Sequence, residues 1–128
     1  MKKILFIFAI FFSLNSWSIS SYECYELDGA KIIAEDGTYL GNLGDSFQMD
    51  SIYNEYSNHG SIYDSDSIWN EYSDYGGEYS SQSPFNDYAS DPPVLLKDGE
   101  VIGKLTTDPY DYEGVDPRSV GEDCGWSD

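Results

Sequence analysis

The chain has 128 residues, 24 of them acidic and six basic, for a net charge of −18 at neutral pH; 40 % are hydrophobic and 16 % aromatic. So negative a surface repels nucleic acid and anionic lipid, which argues against both as partners. The aromatic content argues against a disordered chain, because it provides enough apolar surface to offset the entropy lost on ordering.

The N-terminus reads as an export signal. Met1-Lys2-Lys3 precedes an unbroken apolar run over residues 4–12, a cationic start followed by a short hydrophobic stretch. A bilayer span needs about 20 apolar residues, so this run is too short to anchor the chain. Small residues at Ser16 and Ser18 place cleavage after Ser18. The expected organisation is a signal peptide over residues 1–18 and a single domain over residues 19–128. The expected product is periplasmic or extracellular, with no membrane insertion after cleavage. Ser21, Tyr22 and Glu23, ahead of Cys24, do not form a lipid-attachment motif. Cleavage removes Lys2 and Lys3, leaving four basic residues against 24 acidic, a net charge of −20.

Cys24 and Cys124 stand near opposite ends of the mature chain. Export carries them to an oxidising compartment, where a disulfide is the expected state. Free thiols or a metal pair are the alternatives, but a zinc site would need carboxylates besides the single His59. From Ser20 to Lys31 the chain reads as an entry strand.

Residues 31–43 and 94–105 match one another. Each holds an Asp-Gly pair between apolar runs, Asp36-Gly37 and Asp98-Gly99, the strongest short-range hairpin signal because a type I′ turn needs two residues tolerant of positive φ. Between them lies a repeat of sixteen residues, over about 44–59, 60–75 and 76–88. Its positions are Gly44, Phe47, Ser51, Tyr53, Asn54, Glu55, Tyr56; then Gly60, Tyr63, Ser67, Trp69, Asn70, Glu71, Tyr72; then Gly76, Tyr79, Ser83, Phe85, Asn86, Asp87, Tyr88. Units this short, rich in Ser, Tyr, Gly and Asn, read as short strands and turns. No segment reads as a helix, and residues 106–128 read as a Pro- and Asp-punctuated tail. Since one unit cannot bury its own aromatic face, the units are expected to stack, with Tyr and Trp filling the core and the two hairpins meeting. The expected fold class is all-β: a small, pseudo-symmetric assembly of short hairpin repeats, closed or nearly closed, with its termini joined by a disulfide.

Ser67 through Ser80, followed by residues 86–105, resembles small bacterial exported proteins with tandem Ser-Ile-Trp-Asn-x-Tyr-(Gly or Ser)-x-Tyr-Gly-x-x-Tyr-Ser segments. The resemblance covers roughly residues 37–105. It implies a shared repeat fold and no particular activity.

Chemistry-bearing motifs are few. His59 takes the place that Tyr75 fills one unit later, there is no nucleophile elbow, and carboxylates are too numerous for any pair to stand out as a glycosidase dyad. The chain is therefore expected not to be an enzyme. Calcium is a candidate cofactor through Asp64 with Asp66, or Asp108, Asp111, Glu113 and Asp116, although neither group has EF-hand spacing. Glycan or peptidoglycan binding is suggested by an aromatic, an Asn and an acid at Tyr53-Asn54-Glu55, Trp69-Asn70-Glu71 and Phe85-Asn86-Asp87. In an extended strand, however, the ring and its Asn would face opposite ways. The expectation is an exported structural or interaction module of the envelope or the secreted fraction. A binding module should expose clustered aromatics, whereas a purely structural one should bury Trp69, Phe85 and Phe47.

Overall fold

Both Asp-Gly segments form hairpins. In the computed structural model, which describes residues 19–127 and so leaves the expected signal peptide outside them, β1 (Lys31–Ile33) pairs antiparallel with β2 (Tyr39–Asn42), and β3 (Val94–Lys97) with β4 (Glu100–Leu105). Asp98 (φ 53) and Gly99 (φ 82) supply the two positive dihedrals of a type I′ turn. The first hairpin turns differently. Only Gly37 is positive there (φ 90), and the Ala34 N–H reaches across to the Thr38 carbonyl.

The hairpins meet through β1 and β3, with Lys31 opposite Leu96 and Ile33 opposite Val94. A short parallel strand, β5 (Gly114–Val115), completes a five-stranded sheet of order β2-β1-β3-β4-β5. The sheet is open at β2 and β5, which corrects the expectation of a closed or nearly closed assembly. The chain between the hairpins contributes no strand that could carry the ladder round.

Two short helices correct the reading of both ends and make the chain mostly sheet rather than all-β. The expected entry strand is α1 (Ser21–Leu27), where the Ser20 hydroxyl accepts from the Glu23 N–H and the Glu23 carboxylate accepts from the Ser20 N–H. These two bonds make a capping box. The tail contains α2 (Pro117–Asp123), started by Asp116, which accepts from the Arg118 N–H at 2.9 Å, and by Pro117 in the first turn. Cys24 in α1 and Cys124 at the end of α2 form the disulfide, their Cα atoms 5.6 Å apart.

The sixteen-residue units are neither hairpins nor strands. Their single ladder contact is an isolated bridge between Asn42 and Ser51. The backbone instead turns at every third residue. The N–H groups of Ser51, Asn54, Ser57 and Gly60 each donate to the carbonyl three residues back, at 3.0–3.3 Å; so do those of Ser67, Asn70, Ser73 and Gly76, and then of Ser83, Asn86 and Ala89. One unit is thus four three-residue steps and one of four residues.

Side chains at the corners cause this. Ser51, Ser67 and Ser83 Oγ accept from the N–H two residues on, at Tyr53, Trp69 and Phe85. Asn54, Asn70 and Asn86 Oδ1 do the same for Tyr56, Tyr72 and Tyr88, each at 3.0 Å. Ser and Asn favour such turns because their short polar arms satisfy a local N–H that would otherwise enter a ladder. Corners three residues apart leave no stretch long enough for the strands expected there.

Each Asn also stitches the coil to its preceding turn. Nδ2 of Asn54, Asn70 and Asn86 donates to the carbonyl six residues back, on Gln48, Asp64 and Ser80, at 2.9–3.1 Å. Asn70→Ala removes both bonds, and at about 1 kcal/mol each it is expected to cost about 2 kcal/mol in urea denaturation. Glu71→Gln, at the exposed neighbour, should stay within about 0.5 kcal/mol.

The core is aliphatic rather than aromatic. Ile52, Ile68 and Pro84, each following a buried Ser, are fully buried along with Ile32, Leu40, Leu43, Leu95, Leu105 and Val120. Trp126 is the only aromatic buried in the described core. Ile and Leu win these places because they pack closely with no polar atom to satisfy, while most of the Tyr rings are held outside by the turns.

Candidate functional site

The coil carries two sets of rings. The inner set, Tyr53, Trp69 and Phe85, packs half-buried against the core. Its centroids lie 6.3 Å apart from Tyr53 to Trp69 and 5.4 Å from Trp69 to Phe85, with Trp126 a further 6.2 Å beyond Tyr53. The Arg118 guanidinium covers the far end, 4.2 Å from the Phe85 centroid. Polar handles tie this ladder down: Trp69 Nε1 donates to the Ile52 carbonyl at 2.6 Å and the Tyr53 hydroxyl to that of Pro117. Burial, with the Asp116 charge second, pushes the Tyr53 phenol well above its ordinary value.

The outer set is Phe47, Tyr63 and Tyr79 with Tyr56, Tyr72 and Tyr88. All six are 86–94 % exposed. Phe47 with Tyr56, and Tyr63 with Tyr72, each border a common cleft.

Outer and inner rings frame a cleft in each of the first two units. Ser46, Phe47, Tyr53, Asn54, Glu55 and Tyr56 line one of 330 Å³. Ile62, Tyr63, Trp69, Asn70, Glu71 and Tyr72, the same positions sixteen residues on, line one of 340 Å³. In the third unit Tyr79 and Phe85 border a wider recess that also takes in Trp69, Glu71, Glu78 and the chain's own Arg118.

The residues singled out from sequence therefore have two different situations. Tyr53, Trp69 and Phe85 form the inner ladder. Asn54, Asn70 and Asn86 are the corners, with Oδ1 and Nδ2 both engaged by backbone. Because these segments are turns, strand alternation does not apply, and Tyr53 with Asn54, and Trp69 with Asn70, do line one cleft each. The expectation that the recurring Tyr fill the core fails for Tyr56, Tyr63, Tyr72, Tyr79 and Tyr88, which stand in water. The three-residue spacing of Ser, Asn and Asp was the signal that they point elsewhere, since it forbids the alternation that would turn them inward.

Among the calcium candidates, Asp108 and Asp111 Oδ1 accept from the N–H groups of Tyr110 and Glu113, both at 2.9 Å. Lys104 Nζ lies 3.4 Å from Asp111 Oδ2 and 3.8 Å from Glu113 Oε1, where its ammonium supplies the positive charge between them. Asp64 caps the Asp66 N–H. Among the described residues, no three His, Cys, Asp or Glu side chains are grouped as a metal site. His59 packs edge-on against Tyr39, centroids 5.1 Å apart, with Nδ1 3.2 Å from the Asp66 carbonyl oxygen. Burial and then Asp50 push the Tyr39 phenol up to about 12. These contacts fix the coil to β2.

The fold and this surface define a small disulfide-closed domain in which an open sheet carries a coil of Ser and Asn turns. No protein-family model, curated protein or solved structure matches the chain.

Proposed function

We propose that the protein is an exported, non-catalytic interaction module of the cell envelope or the secreted fraction, meeting its partner through the outer rings of the coil. The observation that carries this reading is the 86–94 % exposure of six rings at matching positions of the sixteen-residue units. Export is supported by the signal-like N-terminus together with the Cys24–Cys124 disulfide. Pseudo-symmetry of the units is supported by corner hydrogen bonds that recur at an offset of sixteen. Glycan is the second reading of the same surface, favoured by clefts that combine aromatic rings with an exposed carboxylate.

The combined substitution Tyr56→Ser, Tyr72→Ser and Tyr88→Ser separates binding from folding. Exposed sites change stability by about 0.5 kcal/mol or less each, so the unfolding midpoint is expected to stay close to that of the parent while co-sedimentation with isolated cell envelopes is lost. Collapse of the fold would make the rings structural, and undiminished co-sedimentation would remove them from the interface.

A further inference from the structure

We infer, resting on the interaction-surface reading above, that the partner is a positively charged, arginine-rich peptide segment of another protein, taken up by the outer rings and the carboxylates beside them. Charge sets the sign. Residues 32–96 hold twelve acidic side chains and no Lys or Arg, and the coil lies entirely within them. Glu55, Glu71 and Asp87 are all exposed and each directly precedes an outer ring, Tyr56, Tyr72 or Tyr88. Among the described residues the ion pairs are those of Lys104 with Asp111 and Glu113, so neither Glu55 nor Glu71 is ion-paired there, although Glu71 shares the third-unit recess with Arg118.

Ring chemistry points the same way. The face of an aromatic ring attracts a cation, and guanidinium does best because its plane stacks on the ring while its edge bonds a carboxylate. The protein already places one guanidinium on a ring of this coil, that of Arg118 4.2 Å from the Phe85 centroid. In the first two units the corresponding clefts hold two outer rings, an inner ring and an exposed Glu, with no basic side chain in the lining. A neutral sugar is a poorer match, because the Asn amides that would orient its hydroxyls are spent on backbone atoms at both clefts. The inner ladder repeats at 5.4–6.3 Å, so the units offer successive ring-and-carboxylate sites in a row, suited to an extended segment rather than a single ion.

The test titrates the full mature chain with a short oligo-arginine peptide, a neutral Gly-Ser peptide and soluble peptidoglycan fragments, following the tyrosine ring resonances by NMR and affinity by calorimetry. Oligo-arginine alone is expected to shift Tyr56, Tyr63 and Tyr72, with binding that weakens as salt rises. The Tyr56→Ser, Tyr72→Ser and Tyr88→Ser variant should weaken it about tenfold, from three exposed cation–ring contacts. Glu55→Gln with Glu71→Gln should flatten its salt dependence. Equal affinity for the parent and the ring variant would reduce the attraction to diffuse charge and overturn the inference. Shifts of the same rings by peptidoglycan fragments but not by oligo-arginine would overturn it while leaving the interaction surface standing. Silence of the rings toward every probe would overturn both.

Discussion

Replacing Cys24 and Cys124 together by Ser is expected to lower stability by about 4–5 kcal/mol, the chain-entropy value for a closed loop of this length. The bond joins residues 100 apart, and net stabilities of domains are only about 5–15 kcal/mol. Little else holds the two ends together. Helices α1 and α2 have seven residues each, far below the length at which a helix persists alone. Each docks separately on the rest of the chain, α1 through buried Leu27 and the Lys97 Nζ bonds to the Tyr25 and Glu26 carbonyls, α2 through buried Val120 and the Tyr53 hydroxyl on the Pro117 carbonyl, while between the two ends the Ile19 N–H donates to the Asp123 carboxylate. Urea denaturation of the oxidised parent against the double variant measures the difference. A loss under about 1 kcal/mol would mean that the reduced chain keeps its ends docked without the cross-link.

Gly60→Ala and Gly76→Ala form the second large pair. A Cβ on Gly60 would overlap the Asn54 carbonyl, and one on Gly76 would meet the Ile68 carbonyl oxygen at 2.5 Å as well as that of Asn70, where real Cβ atoms essentially never come within 3.0 Å. The obstructing atoms are backbone from the preceding turn of the coil and have no rotamer in which to yield. Overpacking costs about 1–3 kcal/mol where side chains can shift; here at least the upper figure, about 3 kcal/mol, is expected. Gly77→Ala is the control one residue away. Its Cβ would have 3.2 Å to the nearest atom, the Ser73 carbonyl oxygen, so a much smaller loss should appear in the same denaturation experiment.

The parts of the fold set by neighbouring residues were legible in sequence. Asp98-Gly99 announced its turn, the two apolar hairpins announced their pairing, and two cysteines at opposite ends behind a signal-like N-terminus announced the bridge. The ends were misread although their signals were present: Ser20 with Glu23 spells a capping box, and Asp116-Pro117 a helix start. Both helices are too short for an apolar periodicity to show, so only the caps could reveal them. The coil was hidden for a different reason. Its sixteen-residue recurrence is plain, but the recurrence leaves open whether each unit is built with period two or three. The answer lies in Ser51, Asn54 and Ser57, whose spacing converts the backbone into linked turns and thereby sends Tyr56 outward and Ile52 inward. The same misassignment hid the candidate surface, because rings counted toward the core were not available to be counted as a face.

The inner ladder has a geometric consequence for how many units the protein can hold. Successive units advance by 5.4–6.3 Å, judged by the Tyr53, Trp69 and Phe85 centroids, close to the ~4.8 Å between neighbouring strands. The first unit is bonded to β2 through Asn42 and Ile52, and the last to the exit of β4 through the Thr107 N–H and the Pro84 carbonyl. The two advances of the coil and the three strand spacings from β2 to β4 cover comparable distances, about 12 and about 14 Å, so the width of the sheet limits how many units fit. Open-ended solenoids can gain or shed modules by duplication, whereas one module more or fewer here would carry Pro84 about one strand past its mooring. Growth of such a protein therefore has to proceed in step, with every added coil unit matched by added sheet.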